Sequence, residues 1–594
     1  MDLFADSIAE LLTQSLRDAG LDDPPPIAGR MVERPPDAEL GDYAFPCFML
    51  AKTMRKAPPA IAQQLAGALA DAVRASELLS AVEAAGPYLN FRVSAAAMAA
   101  HTIPGVLDGS YFGGARAAVG KKTMVEYSQP NTHKAFHVGH MRNVALGDAL
   151  VRILRFAGHQ VVAANYIGDS GAHIAKCIWY YLNHRAGEPP KHNRGEWLGT
   201  LYVEAEAKLV AATPEQRAGY DAEIAEVLRV LERANRETGE EGTQARDTEV
   251  FQTFVQTRRW SMEAFEQIYE WVGAEFDHVF SEAEMDRYAR DVVDAGLAKG
   301  VFVRSEGAVG IELEPHKLGF LLVLKGDGNT LYATKDLALA EIKFRDFGIE
   351  ESIYVVGAEQ TLHFRQVFKT LELLGYPQAA ACHHLPYGLV MLPKGKMSSR
   401  AGKVILFSQL RRELNAYIEA HYMGAHRGDW DEREIEETTR RVAVAAIRYG
   451  MVKQDPAKSI VFNLEDWLQS EGDTGTYLCY AYTRIMSVLA RVAAKPDPTA
   501  DFALLAHPHE RMLLRELYDF NRVVQLAARG LRPNLLAGAL FQIAKEFSRT
   551  YRTCSVLHAE TPQLAAARLA LFAATGRVLH QGLALLGITP PERM

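Results

Sequence analysis

The chain has 594 residues, 48% of them hydrophobic and 23% charged, with a formal net charge of −8. That length predicts about three to five domains, and the ordinary apolar content excludes wholesale disorder. The five cysteines (Cys47, Cys177, Cys382, Cys479, Cys554) form no CxxC pair, which excludes a disulfide scaffold or zinc ribbon and fits a reducing compartment. The opening MDLFADSIAELLTQSLRDAG is acidic and amphipathic, unlike a secretory signal. No uncharged apolar run reaches the ~20 residues of a membrane helix. The expectation is a soluble, cytoplasmic protein with no membrane association.

Residues 1–117 read as an α+β unit: an opening helix, helix formers over 60–76, and a strand at GPYLNFRV (86–93). From Lys122 the pattern changes. TMVEYS (123–128) predicts a strand, a turn with Pro130 and Asn131 follows, and a helix runs from about His137 to Phe156 before the strand QVVAANYI (160–167). Such alternation predicts a parallel α/β sheet. Residues 175–300 read as mostly helical, and strands return at 319–324, 352–356 and 387–392. An α/β domain over 118–430 is thus expected to be split by a helical insertion at about 180–300. From 431 to 594 the chain reads as a helical bundle.

Two motifs carry chemistry. His137-Val138-Gly139-His140 stands at a helix start after a strand and turn. Such a start offers free N–H groups to phosphate, and imidazoles at i and i+3 share a face. Gly139, lacking a side chain, lets a flat base approach the backbone. About 250 residues later stands PKGKMSSRAGKVI (393–405), in which Lys394, Lys396, Arg400 and Lys403 alternate with Ser398, Ser399 and glycines. A basic loop of small residues suits stabilisation of a polyphosphate leaving group. Taken singly, either motif also reads as an ordinary helix start or a solvated basic loop.

Together they resemble the HIGH and KMSKS signatures of class I aminoacyl-tRNA synthetases. Longer segments narrow the resemblance to the bacterial type of arginyl-tRNA synthetase: VEYSQPNTHKAFHVGHMRNVALGDAL (125–150), GDYAFPCFMLAK (41–52), LYATKDLALA (331–340), YVVGAEQTLHFRQV (354–367) and the closing RLALFAATGRVLHQGLALLGITPPERM. The resemblance implies a Rossmann-type catalytic domain with L-arginine, ATP with Mg²⁺, and tRNA(Arg) as substrates, and a monomer is the expectation for the assembly. It also implies that activation requires bound tRNA. One departure is that Ser399 stands where the family's signature has its second lysine, so Lys394 or Lys396 would reach the phosphates instead.

A guanidinium is planar, always charged and offers five donors, so its pocket needs carboxylates. By resemblance Glu126 and Asp336 are those acids, Tyr332 borders the same group, and Asn131 and Gln360 hold the α-amino and carboxylate ends. On the residues alone, Asp336 reads sooner as a helix cap and Tyr332 as core packing. For RNA, Tyr477, Tyr480 and Arg484 fall on one helix face and Tyr551 on another helix. The resemblance makes these four candidates for the anticodon loop, while aromatics at such spacing also fill bundle cores. Asp42, Tyr43 and Asn90 stand in the segments of a unit expected at the tRNA elbow, either touching RNA or holding the fold. A nucleotidyltransferase shares HxGH but needs no long helical C-terminus. A tRNA-binding protein that has lost catalysis is disfavoured by intact His137, His140, Glu126 and Asp336. The acidic average does not exclude RNA, because residues 475–594 carry 14 Lys+Arg against 8 Asp+Glu, a surplus of +6 that leaves −14 for the rest.

Overall fold

A computed structural model describes residues 2–594 apart from 22, 36, 117–119, 238–239, 327, 393–394, 397–403 and 493. The chain divides into two compact units, one of residues 1–114, 485–521 and 542–578, the other of 115–484, 522–541 and 579–594.

In the first unit, Asp2 caps the helix Leu3–Asp18 by accepting from the Ala5 N–H. That helix buries Phe4, Ile8, Leu12 and Leu16 at three- and four-residue spacing. The strands Tyr43–Pro46, Tyr88–Val93 and Leu79–Ala85 form an antiparallel sheet with Tyr88–Val93 in the middle. The strand Leu79–Ala85 was not expected, because LSAVEAA has the alanine content of a helix. Buried polar groups tie the sheet to the helical segments of the same unit. Asp42 accepts from the Val93 N–H at 2.8 Å and from Arg511 at 2.6 Å.

The second unit holds the parallel sheet. Its strands, in spatial order, are Cys382–Tyr387, Glu351–Gly357, Lys122–Glu126, Gln160–Ile167 and His278–Ser281, each parallel to its neighbour. Chain order therefore runs outward one way from Lys122–Glu126 and then returns to its other side. The crevice at the C-terminal ends, where the order reverses, is where such sheets bind ligands. Five helices between Ala172 and Val272 separate the second and third strands. The expected insertion to about residue 300 thus overran the strand His278–Ser281, four residues too short for a period-two pattern to register. Phe320–Leu324 lies in a separate antiparallel sheet with Val303–Ser305 and Ala308–Glu312. The run expected at 387–392 resolves into Cys382–Tyr387 and Val390–Leu392.

The helix Val138–Phe156 packs on this sheet so closely that a Cβ on Gly147 would lie 2.2 Å from the Tyr127 ring. Arg142, fully buried on that helix, donates to the carbonyls of Gly388 (2.6 Å) and Pro456 (3.1 Å). Asn143 accepts from the Ser128 N–H and donates to the Val355 carbonyl. The helix is thereby fixed against both central strands. The helices Glu432–Val452, Gly475–Arg491, Pro508–Gly530, Pro533–Thr553 and Pro562–Leu585 make up most of the stretch that reads as helical over 431–594.

Candidate active site

His137 is the N-cap of the helix Val138–Phe156. Its Nδ1 accepts from the Gly139 N–H at 3.1 Å, and Nδ1 of His140 accepts from the His137 N–H at 3.2 Å. The two rings lie 3.9 Å apart. Burial pushes His137 down to about 4 and His140 well below the usual histidine range. Each imidazole is therefore neutral near pH 7, and a ring accepting at Nδ1 carries its proton at Nε2. Both histidines present an N–H donor without a charge.

The far flank of the basic loop meets this helix start. The Val138 N–H donates to the Ile405 carbonyl and the Phe407 N–H to the Phe136 carbonyl, both at 3.0 Å. On the near flank, Val390–Leu392 pairs antiparallel with Gly395–Lys396 and parallel with Ile460–Val461. The candidates Lys394, Ser398 and Arg400 lie outside the described residues, and of Lys396 only the backbone is described. The HVGH helix start and the residues that directly follow the second motif, far apart in sequence, thus become neighbours at the C-terminal edge of the sheet.

Glu126 ends the central strand and is 2% exposed. Gln129 donates to its Oε1 at 2.7 Å, and the ammonium of Lys343 pairs with its Oε2 while lying 3.8 Å from the centre of the Tyr354 ring. Asn131 bridges backbone-to-backbone with Gly168, where a Cβ would come within 2.4 Å of its Oδ1. Tyr332 and Asp336 stand on the helix Tyr332–Phe347, whose N-cap is Leu331. Asp336 is the fifth residue of that helix, so it is not a cap. Tyr332 is 58% exposed, so it is not core packing. Asp336 Oδ2 is 2.6 Å from Nε2 of His363. Gln360 ends the short turn Ala358–Gln360 that follows the strand Glu351–Gly357.

Several residues that complete this surface escaped sequence reasoning. Among the described residues the buried Tyr166 hydroxyl has no hydrogen-bond partner. Burial first, then the carboxylates of Glu282, Asp336, Glu126 and Asp169, raise its pKa far above the usual phenol range, so four acids act on one point. Glu282 and Asp286 hold the Lys335 ammonium, each at 3.1 Å, with Ser170 at 2.9 Å. With Gly171 and Tyr332 these residues line a cavity of about 170 Å³. Burial pushes the Glu282 carboxyl up to about 7 even beside Lys335. Lysine next to aspartate in YATKD was the available signal for Lys335, but nothing local distinguished Glu282 in a helix start already rich in acids.

Of the RNA candidates, Arg484 donates to the Tyr480 hydroxyl at 2.8 Å and stacks over its ring, and Tyr477 meets Phe541 edge-on. Tyr551 is 36% exposed on another helix. Asp42, Tyr43 and Asn90 are all buried, at 3%, 1% and 5%. Tyr43 donates to Asp2 at 2.5 Å with the Arg34 guanidinium 3.9 Å over its ring. These three hold the fold.

A parallel sheet of this order, with HVGH opening the helix after its central strand and Ile405–Phe407, the flank of the basic segment, paired beside it, defines the catalytic domain of a class I aminoacyl-tRNA synthetase. Residues 103–464 match the family described as tRNA synthetases class I (R), catalytic domain. Residues 6–93 match the arginyl tRNA synthetase N terminal domain and 478–594 the DALR anticodon binding domain. The chain is 40% identical over 562 residues to the arginine–tRNA ligase of Bdellovibrio bacteriovorus, covering 94% of this chain and 93% of the relative. It is 35% identical over 569 residues to that of Clostridium beijerinckii, covering 95% and 96%. Among solved structures, Thermus thermophilus arginyl-tRNA synthetase superposes with a TM-score of 0.77 at 28% identity over 99% of both chains. The chain belongs to the arginyl-tRNA synthetase family.

Proposed function

We propose that this chain is an arginine–tRNA ligase that activates L-arginine with ATP and esterifies it to the 3′-terminal ribose of tRNA(Arg). The observation that carries the reading is the antiparallel meeting of the HVGH helix start with Ile405–Phe407, directly after the basic loop. In the first step an arginine carboxylate oxygen attacks the α-phosphorus of ATP. The bond to the bridging oxygen breaks and pyrophosphate leaves. In the second, the ribose hydroxyl attacks the activated carbonyl, AMP leaves with the bonding pair, and the hydroxyl proton passes to solvent. No side chain becomes covalently bonded, and the protein contributes position and charge.

His137 and His140 donate Nε2–H to the phosphates, and Gly139 leaves room for the base. Lys394, Lys396, Ser398 and Arg400 follow the charge onto pyrophosphate, with one of the two lysines serving in place of Ser399. Mg²⁺ enters with ATP, held by phosphate oxygens and water. Asp336 and Tyr332 face the guanidinium, joined by Glu282, which shares the single Lys335 ammonium with Asp286, whereas Glu126 contributes with its charge already balanced by Lys343. Asn131 and Gln360 hold the α-amino and carboxylate ends. Residues 1–117 take the tRNA elbow, 118–430 the chemistry, and 431–594 the anticodon, with Tyr477, Tyr480, Arg484 and Tyr551 at its loop. The enzyme acts as a cytoplasmic monomer and activates arginine only with tRNA bound.

ATP–pyrophosphate exchange tests the reading. Exchange should depend on arginine among the twenty amino acids and on cognate tRNA, and its absence with both present would refute the assignment. Lys394→Ala and Lys396→Ala should slow exchange more than they weaken tRNA binding. Normal exchange in both variants would remove the loop from the chemistry.

A further inference from the structure

Resting on the assignment of Asp336 to the guanidinium, we infer that His363 is a positioning residue for arginine recognition, fixing the Asp336 carboxylate before substrate arrives. Among the described residues His363 supplies the hydrogen bond to that carboxylate, Nε2 to Oδ2 at 2.6 Å. A carboxylate has about four lone-pair sites, so one N–H leaves most of them for the guanidinium. The contrast is with Glu126, where Gln129 takes one oxygen and the Lys343 ammonium the other. An imidazole N–H orients a carboxylate without the permanent charge of an ammonium, and only an uncancelled carboxylate discriminates for a cation.

The scaffold behind His363 is rigid. It lies three residues after Gln360 on the helix Thr361–Leu373, so one helical turn joins the groups assigned to the two ends of the substrate. Its ring meets Phe364 edge-on at 5.4 Å, and Phe364 is buried against Tyr354, Phe368 and His384. A carboxylate held in place by a braced imidazole loses less rotamer freedom on binding.

The test is tRNA-dependent pyrophosphate exchange by the full-length enzyme, reading kcat and the KM values for arginine and ATP separately. His363→Ala should raise the arginine KM about tenfold, as loss of a hydrogen bond to a charged group does, with kcat and the ATP KM within about twofold. His363→Gln, whose amide N–H replaces the imidazole donor, should recover most of the loss. A His363→Ala, Asp336→Asn double variant should bind arginine no worse than Asp336→Asn alone. If the alanine variant does not fold, His363→Leu, apolar and similar in size, gives the same readout. An arginine KM unchanged by loss of His363 but raised by Asp336→Asn overturns the inference alone. An arginine KM unchanged by Asp336→Asn overturns the pocket assignment and the inference with it. Parallel loss in arginine KM, ATP KM and kcat, not rescued by glutamine, assigns His363 a structural role and also overturns it.

Discussion

Buried polar side chains cluster in both compact units, and the two clusters are finished differently. Around Asp42 the acids and the phenol are answered within the fold, with Val93 and Arg511 on Asp42, Asp2 on Tyr43 and Asp519 on Arg34, and Arg34 Nε is the exception among the described residues. Around Asp336 more is left open among the described residues: the Tyr166 hydroxyl and Asp286 Oδ2 are buried without partners, and burial pushes the Glu282 carboxyl up to about 7. An unsatisfied buried polar atom costs about 1–3 kcal/mol, so a fold retains such atoms where a ligand will satisfy them and closes them where none will. On the proposed function, the first cluster supports structure and the second is the one a cationic substrate would complete.

The comparison breaks most sharply by removing one acid from each side. Asp42→Ala strands Arg511 and the Val93 N–H, and losing one partner of a buried ion pair costs about 3 kcal/mol or more. The melting temperature should fall by several degrees while the arginine KM of the folded enzyme stays constant. Asp336→Ala should do the reverse, raising the arginine KM about a hundredfold, as expected when a charge-assisted contact is lost, with melting unchanged within error. If both variants alter both quantities, the two clusters do not divide the labour.

Two pH experiments probe smaller effects. His133 is fully buried between Thr132 and Thr257, and burial pushes it down to about 3 from a usual 6.5. Between those values the unfolded chain binds a proton that the folded chain refuses, so stability is present above pH 6.5 and is lost as pH falls towards 3. Melting temperature against pH should show that decline, and His133→Gln should flatten it. For Glu282 the sign is opposite. Its raised value means the folded chain holds a proton between 4.5 and about 7, and a bound guanidinium favours the ionised form. The arginine KM should therefore improve a few-fold as pH rises through 7. Glu282→Gln should abolish that slope, and a slope that survives would remove Glu282 from the pocket.

Much of the site was legible in advance because its signals are local. HVGH at a helix start, the basic loop, and YATKD each combine residue type with a nearby element boundary. What was not legible required partners distant in sequence. Glu282 became visible only once His278–Ser281 joined the sheet, and Lys343 is an ordinary helix lysine until Glu126 is found beside it. Asp42, Tyr43 and Asn90 show the limit from the other side, since nothing in their segments tells a buried polar network from a ligand surface.

The sequence by itself determined the alternating strand and helix order of the catalytic domain, the helical C-terminal portion and the family to which the chain belongs, because periodicity and contiguous motifs are properties of neighbouring residues. The tertiary structure alone decided which acids retain free lone pairs. The fold brings the charges of Glu126, Asp169, Glu282 and Asp336 to bear on one Tyr166 hydroxyl, and whether a carboxylate meets an internal lysine depends on contacts between residues 53 positions apart at Glu282–Lys335 and 217 apart at Glu126–Lys343.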